Sequence, residues 1–234
     1  MRLNNLLIQA VKLVPDVLPY LSNKARFTLY EPAAYKSFEY MLKQIEGLVK
    51  GVYSGNVGGE FIDTMANLIS GQLTDAYQVA WSDEGDGGDF PEYLNAPLES
   101  EILNQYDYVD QFYRDIVDAR VDKTPIDPLL TRAGLWANAY KTAYENATSL
   151  IVAAMGGNEE WILGATEQHC PECASLNGIV ARASEWEALD VRPKNAPNNK
   201  LTCGGWNCDC ERRPTDKRRS PNAYGRIEEI MLAR

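Results

Sequence analysis

Five cysteines and one histidine are the residues of this chain best equipped for chemistry, and all six lie after residue 168 of 234. They read His169-Cys170-Pro171-Glu172-Cys173, then Cys203-Gly204-Gly205-Trp206-Asn207-Cys208-Asp209-Cys210. A C-x2-C turn lets two thiolates converge on one ion at about 2.3 Å from each sulfur, and a second cluster about thirty residues later can complete a tetrahedron. An odd cysteine count clustered in this way fits a metal site in a reducing compartment better than a disulfide framework. Pro171 stiffens the first turn, and Gly204 and Gly205 permit the positive backbone torsions a tight metal loop needs. Six donors compete for four places. Cys170 and Cys173 are the expected ligands from the first turn, joined by two of Cys203, Cys208 and Cys210. His169 is the weaker candidate, because neighbouring residues have difficulty facing one tetrahedral ion. A zinc held by three or four thiolates has no open position, so its expected role is structural: it folds the chain rather than activating water.

The single histidine also limits what else the chain can be. A Ser-His-Asp or Cys-His enzyme would have to be built around that one imidazole. The nucleobase deaminases carry H-x-E ahead of P-C-x-x-C, and no such order occurs here. Gly85-Asp86-Gly87-Gly88 lacks the preceding strand and the following Lys-Ser/Thr of a phosphate loop. Acid pairs such as Asp83-Glu84 and Glu159-Glu160 read as solvated loop residues. No catalytic residue, small-molecule substrate or enzymatic activity is therefore expected.

The elements that must position the cysteines divide in two. Residues 1–157 read as an α-helical body. Phe38, Met41, Leu42, Ile45, Leu48, Val49 and Val52 form one apolar face of a helix over about 33–53, which Ser54-Gly55-Asn56 ends. A second helix carries Phe61, Met65, Leu68, Ile69, Leu73, Ala76 and Ala80. A third, starting near Pro97, carries Leu98, Ile102, Tyr106, Val109, Tyr113 and Ile116. The fourth, about 127–155, carries Leu129, Ala133, Trp136, Tyr140, Ala143, Ala147 and Leu150, and Gly156-Gly157 stops it. Tyr106, Tyr108, Tyr113, Tyr140 and Tyr144 suggest aromatic packing or a protein-facing surface. Residues 158–234 form the second part: short strands at 161–163 and 178–181 flank the first cysteine pair, residues 190–222 read as loop, and a helix from Tyr224 to Leu232 docks back. The expected fold class is α+β, mainly α, with a small zinc-stabilised β-hairpin module at the C-terminus.

Composition is that of a globular chain, 45% hydrophobic and 24% charged. The apolar run Leu3 to Val14 is broken by Asn4, Asn5, Gln9 and Lys12, so neither a membrane span nor a cleaved signal is expected. Asn146-Ala147-Thr148 falls inside a helix and carries no weight as a glycosylation site. Charge is as unevenly spread as cysteine. Asp83 to Asp127 holds thirteen acidic residues against three basic, while Val191 to Ser220 holds eight basic against three acidic. Either region is a solvated face or a docking surface for a partner of opposite sign. Arg212, Arg213, Lys217, Arg218 and Arg219 are the cations that could meet nucleic-acid phosphates, with binding that weakens steeply in salt.

The run Trp161 to Gly178, with Cys170, Cys173, Leu176, Asn177 and Gly178, followed by Cys203, Cys208 and Cys210, resembles the C-terminal module of phage Mu F-like minor head proteins, also called head morphogenesis proteins. That family carries C-x2-C-x2-L-[DN]-G after a tryptophan-containing strand, then His or Cys and C-x-C. Cys203 stands near the place of the family's histidine. The likeness covers about fifty residues, and the helical part is similar only in style. It implies a virion structural protein made in the host cytoplasm. Such a protein sits at the portal vertex or capsid interior, with portal or major capsid protein as partner and packaged double-stranded DNA nearby. The alternative from the residues alone is a nucleic-acid-binding zinc-ribbon protein working through its basic segment.

Overall fold

A computed structural model describes residues 38–165, 168–194, 200–205 and 209–233. The apolar run at 3–14 and the expected helix start near residue 33 lie outside the described residues. Those described fall in one compact unit, Tyr35–Arg234, mainly helical with a small sheet.

The helical body is built from α1 (Phe38–Ser54), α2 (Glu60–Glu84), α3 (Asn95–Tyr106), α4 (Val109–Asp122) and α5 (Asp127–Ala154). In α1 the buried residues are Met41, Ile45, Val49 and Val52, spaced one turn apart, and Gly55 in the left-handed region (φ 80°) ends the helix. The middle of α2, Gly71 to Tyr77, is buried all round because α2 packs extensively along α5 while α3 covers another side. Alanines 133, 137, 143 and 147 keep α5 slim where α2 approaches. Phe112 joins the helices at one end: its ring centroid lies 6.1 Å from Phe61 and 4.6 Å from Trp136, and the Arg132 guanidinium sits 4.8 Å over it. Pro128 opens α5, and Gly156 (φ 72°) follows its end, as the glycine pair predicted.

One expected helix is two. The stripe from Leu98 to Ile116 is interrupted at Asp107-Tyr108, where no proline or glycine stands. The Tyr106 hydroxyl donates to the Ala66 carbonyl of α2 at 3.1 Å and bonds Ser70, which fixes α3 on α2. The break then lets α4 swing to pack on α1 as well as on α2.

The C-terminal part carries β1 (Asn158–Ile162), α6 (Pro171–Leu176), β2 (Val180–Arg182), α7 (Ala183–Ala188), β3 (Glu211–Thr215) and α8 (Ala223–Leu232). The sheet is β2-β1-β3, antiparallel on both sides of β1, with Glu160 opposite Val180 and Trp161 opposite Arg212. It is thus three-stranded rather than the expected hairpin, because the segment expected to be loop supplies an edge strand, Glu-Arg-Arg-Pro-Thr. Pro214 is tolerated there because an edge strand has one side without ladder bonds.

Two separate hydrophobic cores result. One lies among α1 to α5. The other gathers Trp161, Cys173, Leu176, Ile179, Ala181, Trp186, Val191, Leu201, Cys210, Ala223 and Ile227. The division expected near Gly157 is therefore one between cores inside a single compact unit. The second core packs Trp161 and Trp186 with centroids 5.7 Å apart, and α8 closes it against α6 and β2.

Candidate metal centre

Sheet topology puts the cysteines together. Because both neighbours of β1 run antiparallel to it, the chain leaving β1 and the chains arriving at β2 and β3 all lie at the same end of the sheet. Residues 169–173 follow β1, and residues 203–210 precede β3. Gly164 lets the two meet closely, since a Cβ there would overlap the Asp209 backbone.

The Sγ atoms of Cys170, Cys173 and Cys203 all lie within 4.8 Å of one another. A tetrahedral ion at about 2.3 Å from each sulfur requires edges on the order of 3.8 Å, so small side-chain adjustments bring all three onto one ion. Cys170 is the N-cap of α6: its sulfur accepts from the Cys173 backbone N–H at 3.4 Å, which presents both thiols on the same side of the turn. Cys173 is buried, and Cys170 and Cys203 are half-buried against the second core. The loop holding Cys203 turns through a Gly204 N–H to Leu201 carbonyl bond of 2.8 Å, with Gly204 (φ 61°) and Gly205 (φ 79°) in the left-handed region, as their type predicted. No disulfide joins Cys170, Cys173, Cys203 and Cys210 to one another.

Cys210 is buried beside this triplet, with its Sγ 3.7 Å from Nδ1 of His169. Those two residues form a neighbouring pair from which a fourth ligand can come. Cys208 lies outside the described residues. The metal-capable group shown is therefore three cysteines, with Cys210 close by.

Sequence reasoning passed over Glu172, which is buried between two of the cysteines. Its Oε1 accepts from the Thr202 hydroxyl at 2.7 Å and its Oε2 from the Thr202 N–H at 3.1 Å. Burial opposes its ionisation, yet the bonds from Thr202, its own backbone N–H and Cys170 hold its pKa below the ordinary carboxylate value.

Within the basic segment Arg213, Lys217 and Arg218 are exposed, Arg219 is half-buried and Arg212 is buried. Arg212 is buried, with Nε 3.6 Å from Glu159 and Nη2 2.7 Å from Glu187. Burial takes it out of any phosphate-facing surface, because β3 turns it inward toward the carboxylates of β1 and α7. Arg213 pairs with Glu211, Lys217 with Glu160 at 2.6 Å, and Arg219 with Glu185 through bonds of 2.7 and 2.5 Å. Arg218 is exposed. Most of these cations neutralise carboxylates of the same module.

No helix among the described residues is long and apolar enough to cross a membrane. No family model, curated protein or solved structure matches the chain.

Proposed function

We propose that this chain is a structural component of a phage head, of the Mu F-like minor head kind, whose C-terminal module is closed by one zinc ion. The observation that carries the reading is the convergence of Cys170, Cys173 and Cys203 at one end of the small sheet, beside a buried tryptophan core. A thiolate-rich site fits zinc, and one set among core residues supplies folding free energy rather than an open coordination position. The cysteine spacing supports the family likeness. The acidic stretch at 83–127 supports docking on a basic face of a portal or major capsid protein, with scaffolding by surface complementarity and no chemical turnover. For the alternative nucleic-acid reading, burial removes Arg212 from the available cations, while Arg213, Lys217 and Arg218 stay exposed.

Two measurements test this. Purified chain should contain about one zinc per molecule, lost on thiol modification. Mass spectrometry of precursor and mature heads purified from the phage that encodes this chain should find it in at least one of them. A chain that is absent from both overturns the head reading.

A further inference from the structure

We propose that Glu172 is the positioning residue that assembles the metal centre, by fastening the loop of Cys203 to the turn of Cys170 and Cys173. This rests on the zinc reading above. The two halves of the centre are separated in sequence, with Glu172 and Thr202 thirty residues apart. Leu201, buried in the second core, fixes where the second loop sits. An apolar anchor fixes position but not direction, because dispersion contacts have no angular preference.

Direction comes from the carboxylate. Each oxygen of Glu172 takes one bond from Thr202, one from the hydroxyl and one from the backbone N–H. Two bonds to one residue set the rotation of the loop about Leu201, and with it the direction of the next side chain, Cys203. Glu172 itself is held rigidly, since it lies in the first turn of α6 between the N-cap Cys170 and Cys173. The carboxylate therefore ties the loop of Cys203 to the turn that carries Cys170 and Cys173. An aspartate would be one methylene shorter and could not span this gap from the same backbone position. Groups that orient metal ligands in this way change metal affinity about 10–100-fold when removed.

The test uses the full chain and two readouts: zinc affinity by chelator competition, and the thiolate-to-metal absorption of the cobalt(II)-substituted protein. Glu172→Ala should weaken zinc binding about 10–100-fold and change the cobalt spectrum. Thr202→Val, which keeps the backbone bond, should produce a smaller loss, and Thr202→Ser should restore wild-type values. Because both residues act through one contact, the double variant Glu172→Ala/Thr202→Val should be no worse than Glu172→Ala. Far-UV circular dichroism checks that each variant is folded; Thr202→Val, which exchanges the hydroxyl for a methyl group, set against Thr202→Ser, which keeps the hydroxyl, decides the matter if Glu172→Ala does not fold. Unchanged affinity and spectrum in the variants, or losses that add in the double variant, overturn the positioning role while leaving the zinc centre intact. A wild-type chain that binds no zinc overturns the proposed function instead.

Discussion

At the scale of single residues, the chemistry of this chain depends on a few sulfurs whose grouping was legible and on one carboxylate that was not. Spacing alone points to Cys170 and Cys173 with two of Cys203, Cys208 and Cys210, because a C-x2-C turn followed by a second cluster has few uses other than metal binding. Which of the second cluster joins the first pair is settled only by the fold, which brings Cys203 to them. Glu172 could not be read this way, since an acid between two cysteines has the same letters whether it points to water or across to another loop. His169 takes a lesser place from its adjacency to Cys170, and its Nδ1 lies 3.7 Å from the Cys210 Sγ. Cys173→Ser should reduce bound zinc from about one per chain to below one tenth, measured by metal analysis after gel filtration. Structural zinc sites in peptides are worth roughly 10–16 kcal/mol, more than the net stability of most domains. Loss of that ligand should therefore leave residues 158–233 without a stable fold.

At the scale of elements, apolar periodicity located the helices and glycines located several of their ends, while contacts made far along the chain decided the rest. The break at Asp107 is invisible locally because it follows from where Tyr106 is tied to α2. The strand β3 was hidden for a related reason: its buried residue is an arginine, so its pattern reads as a polar tail until Glu159 and Glu187 are placed opposite it. Two substitutions probe element ends. Lys123 caps α4 in the left-handed region (φ 54°, ψ 33°), a conformation that glycine adopts without steric cost. Lys123→Gly should stabilise the protein by about 0.5–1 kcal/mol in urea denaturation. Gly164→Ala should do the opposite, costing about 1–3 kcal/mol, because the Asp209 backbone occupies the space a methyl group needs. It should also weaken zinc binding, since Asp209 precedes Cys210.

At the scale of the whole molecule, the two cores meet across a polar seam. Glu159 on β1 is fully buried; it accepts from the Ser149 hydroxyl of α5 at 2.6 Å and faces Arg212, while its backbone carbonyl accepts from the Trp186 indole at 3.3 Å. Lys194 reaches Glu145 of α5 at 3.0 Å. Burial raises the pKa of Glu159 above its ordinary 4.5, against the opposing pull of Arg212 and Ser149. An acid raised in this way favours the fold fully below the ordinary value, and that contribution fades as pH rises through the raised one. Glu159→Gln should accordingly gain stability relative to wild type as pH is taken from about 4 toward neutrality, as read by urea midpoints. Glu185 is the reverse case. Its bonds with Arg219 lower its pKa, so its contribution is present above the ordinary carboxylate value and is lost on acidification. Glu185→Gln should narrow its deficit as pH falls. Because the cores are separate, zinc removal should raise amide exchange at residues 158–233 while 38–154 stay protected. Equal loss of protection in both regions would show that the seam makes them unfold as one.

The central place of β1 also sets an order in time. A chain leaving the ribosome at about 5–20 residues per second presents Cys170 and Cys173 seconds before Cys203, and β1 waits still longer for the strand on its other side. Until that last strand arrives, Cys170 and Cys173 lack Leu201, Cys203 and Cys210, which share their core in the folded chain. A chain that ends between residues 174 and 202 lacks both Cys203 and β3, and proteases should therefore cut it after residue 157 faster than they cut the full chain.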